Sequence, residues 1–420
     1  MTEVRNISRR IRGSLVQLPS RPAVRLSSGK VVAGFFSACW LILLVREIDK
    51  SEFAVVVLVL AFSSLTNVLH DGGQLVLLAK GVALQPAISE ELSTLVFRRR
   101  MFLAIIALSI VSLVFSRITE ASVVSIFLIW PSVLATVGYS TMFAVIRVSG
   151  SVDLEAKNEL FSRLFLIVLG CVALYWGLSA PRVIGLYSIV DVLSFLVIYK
   201  KHGNLLVKKV GLEARLYARK ELHWRVSAIV ALTGAVGLLL ARIDPLFISA
   251  LRSSDDVATF AVGIRFIDFL IVPVGTLIIL KVSNFAKSNS LAEVNKTVRF
   301  VFAYSFAAVG ILQIVASILP VLFGSDYGNA VTPLRILAIS VFPMSLASVF
   351  IAWLTLKNPT KALISLAFGL SSNVVGHLLL TSKHGPVGAA FVNLSAATAM
   401  ASTAFFYFRR LNRLNSVTDN

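Results

Sequence analysis

Apolar runs of bilayer length recur from one end of this 420-residue chain to the other, and that recurrence leaves few folds open. An α-helix needs roughly 20 apolar residues to cross a hydrocarbon core about 30 Å thick. Inside hydrocarbon every backbone amide must find a partner within its own segment or in a closed sheet, so only helices and barrels span. The runs here are continuous rather than alternating, which argues against a β-barrel. The chain therefore reads as an all-α, polytopic membrane protein. Composition agrees where it bears on the point: 57% of residues are hydrophobic and 15% charged, less charge than a soluble chain carries.

Twelve spans are predicted, at 29–45, 53–70, 101–116, 121–146, 160–178, 181–199, 224–242, 257–280, 298–322, 332–356, 361–380 and 386–408. Connections at 46–52, 179–180, 357–360 and 381–385 hold only a few residues, as between antiparallel neighbours in a bundle. The formal net charge of +19 would suggest nucleic acid, but the positions of the cations point elsewhere. With the N-terminus inside, 31 of the 40 Lys and Arg residues fall in inside segments. This is the positive-inside pattern. It predicts both termini in the cytoplasm and an anionic lipid leaflet, not nucleic acid, as the neighbour. The segment 1–28 reads as a basic cytoplasmic tail, 29–199 as a six-helix lobe, 200–223 as a basic linker, 224–408 as a second six-helix lobe and 409–420 as a short tail. No early apolar core follows the basic residues of the N-terminus, so a cleavable signal is not expected. Cys39 and Cys171 lie far apart in apolar runs and read as packing residues, with no disulfide or metal site.

A weak internal repeat supports the division. Asp49-Lys-Ser-Glu-Phe-Ala54 resembles Asp255-Asp-Val-Ala-Thr-Phe-Ala261. Pro131-Ser-Val-Leu-Ala-Thr-Val137 resembles Pro343-Met-Ser-Leu-Ala-Ser-Val349. Pro181-Arg-Val-Ile-Gly-Leu-Tyr187 resembles Pro386-Val-Gly-Ala-Ala-Phe391. The three matches occur in chain order at nearly one offset. Six spans is an even number, so the copies are parallel and related by an axis along the membrane normal, as in one class of secondary transporters. Two six-helix lobes around a central cleft are the expected architecture.

Three stretches carry a family resemblance. They are Arg242-Ile-Asp-Pro-Leu-Phe-Ile with Asp255-Asp-Val-Ala-Thr-Phe-Ala-Val, Leu322-Phe-Gly-Ser-Asp-Tyr-Gly-Asn-Ala-Val-Thr-Pro-Leu-Arg-Ile-Leu337, and His384-Gly-Pro-Val-Gly-Ala-Ala390. They resemble signatures of O-antigen and capsule repeat-unit flippases of the multidrug/oligosaccharidyl-lipid/polysaccharide exporter superfamily. The resemblance implies a bacterial inner membrane and an undecaprenyl-diphosphate-linked oligosaccharide as cargo. It also implies a cleft that opens alternately to each side, a role in surface-polysaccharide export, and a polysaccharide polymerase and a chain-length regulator as partners. Lipid II flippases of the same superfamily usually carry two further C-terminal spans, beyond the twelve counted here. No cofactor is implied.

Charges inside the spans are the candidate site, because a charge at the centre of a membrane helix costs roughly 2.5–3.5 kcal/mol on insertion scales. Arg265 lies about eight residues into its span, and Asp268 shares its face. The pair reads either as a cleft cation, tuned by its carboxylate, that meets a diphosphate or acidic sugar, or as an ion pair locking two helices. Arginine suits the first role because its fork of donors matches phosphate. Arg242 and Asp244 are expected at the outer end of the seventh span, as cleft-mouth or coupling-ion groups or as helix-end caps. Asp244 matches an acidic position of the resembled family. Arg46 holds the equivalent place in the first half, and Arg335 lies just inside the tenth span, in reach of the cleft or of the outer surface. Asp191, near the middle of the sixth span, is the candidate proton-coupling carboxyl. His70 and Asp71 read as a helix cap. His377 and Asn373, spaced i, i+4, read as interhelical hydrogen-bonding partners.

Enzyme signatures are missing from the sequence. There is no Walker-type phosphate loop, no metal-ligand spacing, and no outer loop large enough for the catalytic groups of a membrane polymerase or glycosyltransferase. A multidrug exporter of the same fold is the alternative. It would want an apolar, acid-lined cleft, whereas Arg242, Arg265 and Arg335 suit an anionic cargo.

Overall fold

The computed structural model describes residues 21–71, 73–118, 123–148, 153–221, 224–287 and 291–418. Among the described residues each predicted span falls on helix, save that the fifth stops at Leu174, short of 178, and no strand occurs. The first lobe consists of α1 (Arg21–Glu47), α2 (Lys50–Asp71), α3 (Gln74–Leu84), α4 (Ser89–Ile118), α5 (Val123–Leu128), α6 (Trp130–Val148), α7 (Asp153–Leu174) and α8 (Ala180–His202). Two short helices follow, α9 (Asn204–Val207) and α10 (Leu212–Glu221). The second lobe holds α11 (Trp224–Arg242), α12 (Asp244–Leu251), α13 (Ser254–Lys287), α14 (Leu291–Phe323), α15 (Val331–Lys357), α16 (Pro359–Gly376) and α17 (Ser382–Thr418). Among the described residues eight helical stretches are long and apolar enough to cross a membrane, or nine if the bent pair α11–α12 is one span. α7 concentrates Asp153, Glu155, Lys157, Glu159 and Arg163 in its first half, which lowers its apolar character.

The packing repeats as the sequence does. α1 lies against α7, and its counterpart α11 against α16. α4 packs on α6, as α14 does on α15, and α6 on α8, as α15 does on α17. The lobes meet where α1 and α2 pack on α11 and α13.

Burial shows where the lobes join. One apolar core runs through both lobes at the face away from the termini. It includes Trp40, Leu44, Phe53 and Phe62 of the first lobe and Phe260, Ile267, Leu319 and Phe323 of the second. Toward the terminal face the core splits in two. Leu78, Leu92, Met142 and Ile198 form a cluster within the first lobe. Val274, Phe285, Trp353 and Phe408 form another within the second. Apolar burial is the main cohesive force between packed elements, so among the described residues the buried core joins the lobes on one side and stays within each lobe on the other.

Two cations reinforce the joined side. Arg46 donates to the carbonyls of Leu322 (2.7 Å) and Val321 (2.9 Å), at the last turn of α14. Lys50 donates to the Asp326 carbonyl at 2.9 Å and lies 5.0 Å from the centre of the Tyr327 ring. Carbonyls at a helix C-terminus lack intrahelical partners and carry partial negative charge. The first lobe thus caps a helix of the second.

The structure corrects one expectation and adds detail to another. The linker packs on α4: Glu90 accepts from Asn204 Nδ2 and Lys208 Nζ, and Glu91 from the Gly211 amide, each at 2.8 Å. That hydrogen bond to Glu90 raises the Lys208 pKa above the usual lysine value. The seventh span does not end at 242. It bends by 50° after Arg242 and continues as α12 to Leu251. Pro245 lacks an amide hydrogen and fits only the first turn of a helix, so it breaks the span and restarts it. Arg242 and Asp244 therefore lie inside the span, not at its end.

Candidate functional site

The break at Ile243 sends its two flanking charges to different surroundings. Arg242 Nη1 sits 2.6 Å from Asp268 Oδ2 on α13. Arg265, one turn before Asp268, has its Nη1 3.7 Å from the same oxygen. Asp268 lies 14 residues into α13, about 21 Å along the axis, so the group is deep in the helix. All three side chains are partly open, at 28%, 30% and 31% exposure for Arg242, Arg265 and Asp268. The i, i+3 pairing foreseen for Arg265 exists, but Arg242 is the closer partner of the carboxylate. One carboxylate facing two guanidiniums leaves the group with an excess positive charge.

The first lobe contributes to the same region. Arg265 interacts electrostatically with Tyr187 of α8 and Arg163 of α7. The Tyr187 hydroxyl accepts from Trp40 Nε1 at 3.0 Å. Arg163 also acts on Asp191, which accepts a hydrogen bond from Ser132 Oγ. Asp191 is half-buried on α8, and Tyr139, itself near Asp191 and Glu159, belongs to the same neighbourhood. Arg242 and Arg265 thus meet at one carboxylate where the shared core ends, with Arg163 of the first lobe at longer electrostatic range. Arg163 lies inside the predicted fifth span, yet the charge count groups it with the inside segments. The rule that singles out Arg265, an ionisable group within an apolar span, would have found it.

Asp244 turns the other way, into the second lobe, where it is 2% exposed. Its Oδ1 accepts from Asn373 Nδ2 at 2.8 Å and from His377 Nε2 at 3.0 Å, and its Oδ2 accepts from Asn393 Nδ2 at 2.8 Å. The carboxylate can only accept, so both amides turn their nitrogens to it and His377 presents Nε2–H. The other imidazole nitrogen, Nδ1, is 2.8 Å from Thr381 Oγ1. The ring stacks on Phe247 with centroids 4.7 Å apart. Among the described residues the carbonyl oxygens of Asn373 and Asn393 are buried without a hydrogen-bond partner. A turn of π-helix, His377–Thr381, occurs at this point, and such turns often mark functional sites. The i, i+4 pair Asn373 and His377 does make interhelical hydrogen bonds, with Asp244 as the recipient. Asn393 carries no sequence signal, since an amide in an apolar run has no pattern of its own.

The remaining candidates fall outside both groups. Arg46 belongs to the clasp described above. Arg335 is exposed and donates from Nη2 to Ser317 Oγ at 3.2 Å, bridging α14 and α15. His70 and Asp71 do more than cap a helix. Asp71 Oδ1 is 3.3 Å from Arg100 Nε, and Arg100 is 2% exposed, donating to Ser140 and Thr141.

No protein-family profile matches the chain, and no curated protein does. Solved structures match over nearly the whole length. A MATE transporter in complex with MaL6 superposes with a TM-score of 0.70 at 14% identity, over 95% of this chain and 97% of that one. The lipid II flippase MurJ in an inward closed conformation gives 0.69 at 14% identity, over 92% and 87%. A MOP-superfamily transporter from Pyrococcus furiosus, described as having a binding pocket of reverse polarity that suggests a different function, gives 0.69 at 14% identity, over 93% and 95%. At this identity the likeness is one of fold. The chain has the all-α, two-lobed fold of these membrane transporters and is a multi-pass membrane protein.

Proposed function

We propose that this protein is an alternating-access flippase for an undecaprenyl-diphosphate-linked oligosaccharide repeat unit. The observation that carries the reading is the meeting of Arg242 and Arg265 on the single carboxylate of Asp268, which leaves the group a net cation. A diphosphate cannot leave water without a charged, hydrogen-bonding partner, and sheltered guanidiniums supply one. Asp268 holds two of them in place and keeps them from occupying the site with mutual repulsion alone. The positive-inside pattern orients the terminal face, and hence the cleft as it stands, to the cytoplasm of a bacterial inner membrane. Loading from that side and release on the other, to a polysaccharide polymerase and chain-length regulator, follows from this orientation.

The drive is ion exchange at Asp244, with a proton as the exchanged ion. His377 Nε2 lies 3.0 Å from the carboxylate and its Nδ1 is held by Thr381, so a change of charge at Asp244 is felt across the whole cluster. The unpartnered amide oxygens nearby also suit a sodium ion, so the test needs both gradients.

A multidrug exporter is the second reading, favoured by the MATE fold and by Glu159 and Asp191 on the first-lobe side. The test is reconstitution in liposomes with a labelled undecaprenyl-diphosphate oligosaccharide, under a pH gradient or a sodium gradient, and with a lipophilic cation as rival cargo. Accumulation of the lipid-linked sugar in the far leaflet, driven by the pH gradient, is expected. Transport of the cation alone would favour the second reading.

A further inference from the structure

We infer that the linker 204–221 is an in-plane membrane element that reads the anionic headgroups of the leaflet on the terminal face. This rests on the linker's own geometry and is independent of the cargo.

The linker is fixed to one side of α4. Glu90, Glu91 and Thr94 hold it: Thr94 Oγ1 accepts from the Lys208 amide at 3.0 Å and donates to the Leu205 carbonyl at 3.3 Å. At 100° per residue these three share an arc of α4 with Phe102 and Ile105. Phe102 is 66% exposed and Ile105 48%, while Leu108 and Ser112, on the headings of Glu90 and Thr94, are buried, so the anchors sit at the edge of the lipid-facing side of the helix. The linker therefore lies at the rim of the lobe, where the lipid-facing stripe ends. Phe102 begins the apolar stripe eight residues after Thr94, about 12 Å along α4, which sets the linker at headgroup depth.

Its side chains fit that depth. Ala214 and Ala218 of α10 are buried against the lobe, with Leu205 and Leu206 of the preceding turn. Leu212 and Leu216 stand on the opposite side of α10, 72% and 56% exposed, and Val207 is 60% exposed. An apolar i, i+4 stripe left bare between cations is the pattern of an interfacial helix. Exposed cations border it: Arg98 and Arg99 on α4, Lys201 at the end of α8, and Lys209 and Arg215 in the linker. Lys208, also exposed, is held by Glu90 at 2.8 Å. Headgroup attraction adds per cation near the surface, at about five-fold in lipid partition each.

The test uses the full chain with Cys39→Ser and Cys171→Ser and a single Leu216→Cys labelled with bimane. It is reconstituted in phosphatidylcholine vesicles with and without 30 mol% phosphatidylglycerol. Shallow doxyl-phosphatidylcholine should quench the label, and more strongly when phosphatidylglycerol is present. Adding Lys209→Gln and Arg215→Gln should remove that extra quenching, while Lys209→Arg retains it. A thermal melt equal to that of the parent shows that the variants fold. Quenching equal in both vesicle types would overturn headgroup reading. A label open to water-soluble quencher in both, or shielded from lipid and water alike in a protein-concentration-dependent way, would overturn the membrane placement in favour of solvent or a second copy.

Discussion

Arg242 and Asp244 are separated by one residue, yet they serve opposite sides of the second lobe. Arg242 reaches into the cleft, is 28% exposed, and shares a single carboxylate with Arg265. Asp244 is sealed, with three donors aimed at it from two other helices. A continuous helix would turn about 200° between them, and the 50° bend adds to their divergence. The difference teaches how one break can serve two tasks. The open group can meet a large cargo because it is only partly neutralised and partly solvated. The sealed group can register a small ion because every strong donor around it is already fixed. Both flank the same break at Ile243, so a change of charge at Asp244 has a short mechanical path to Arg242.

The largest effect should come from the sealed side. Asp244→Ala strands Asn373, His377 and Asn393 donors in a dry site. Removing one member of a buried charged group costs about 3–5 kcal/mol, so the variant should melt far below the parent in detergent and fail to transport. A melt close to the parent's would mean that the cluster is not a unit. On the open side the balance reverses. Arg265→Ala should lose transport by at least ten-fold while stability changes by less than about 1 kcal/mol, as expected for half-exposed ion pairs. Arg265→Lys should retain part of the transport, since it keeps the charge and loses the fork. Full transport in the Ala variant at normal protein level would remove the cleft-cation idea.

The pH profile of transport sharpens the contrast further. His377→Gln keeps a donor toward Asp244 but removes the imidazole and its Thr381 contact, so it should flatten the profile under a pH gradient. Asp191→Asn should shift it less, because Asp191 lies at the cleft wall with a single hydroxyl donor from Ser132. If Asp191→Asn flattens the profile and His377→Gln does not, the coupling group sits in the first lobe.

Much of this was legible before any coordinates. Bilayer-length runs need no tertiary information, since hydrocarbon forces each span to satisfy its own backbone. The twelve spans and the two-lobe division followed from that and from the cation pattern. Arg265 and Asp268 were visible because a charge in an apolar run is conspicuous. What stayed hidden depended on direction rather than identity. Proline stops helices and restarts them with equal ease, so the run up to Pro245 places Asp244 at an outer end, whereas its carboxylate lies in a sealed interior. Asn393 is one amide among small apolar residues. Only the approach of α17 to α12 gives it a partner. The Arg46 clasp was equally unreadable, as its acceptors are backbone carbonyls some 275 residues away.

That clasp sets the smallest expected effect. Its bonds are exposed, and a net hydrogen bond there contributes about 1 kcal/mol. Both bonds join the lobes on the side that must part when the cleft reopens to the far face. Arg46→Ala should therefore leave the fold and the Arg265 group intact while shifting the balance of conformers several-fold toward the far-side-open form. Spin labels on the α1–α2 turn and on the α14–α15 turn, in a background lacking Cys39 and Cys171, would report that separation directly. The same labels should move little in Arg265→Ala, whose defect lies in holding cargo. Were the two variants to give the same distance distribution, the cleft group and the clasp would belong to one gate, and the division between cargo contact and conformational control would have to be redrawn around α13.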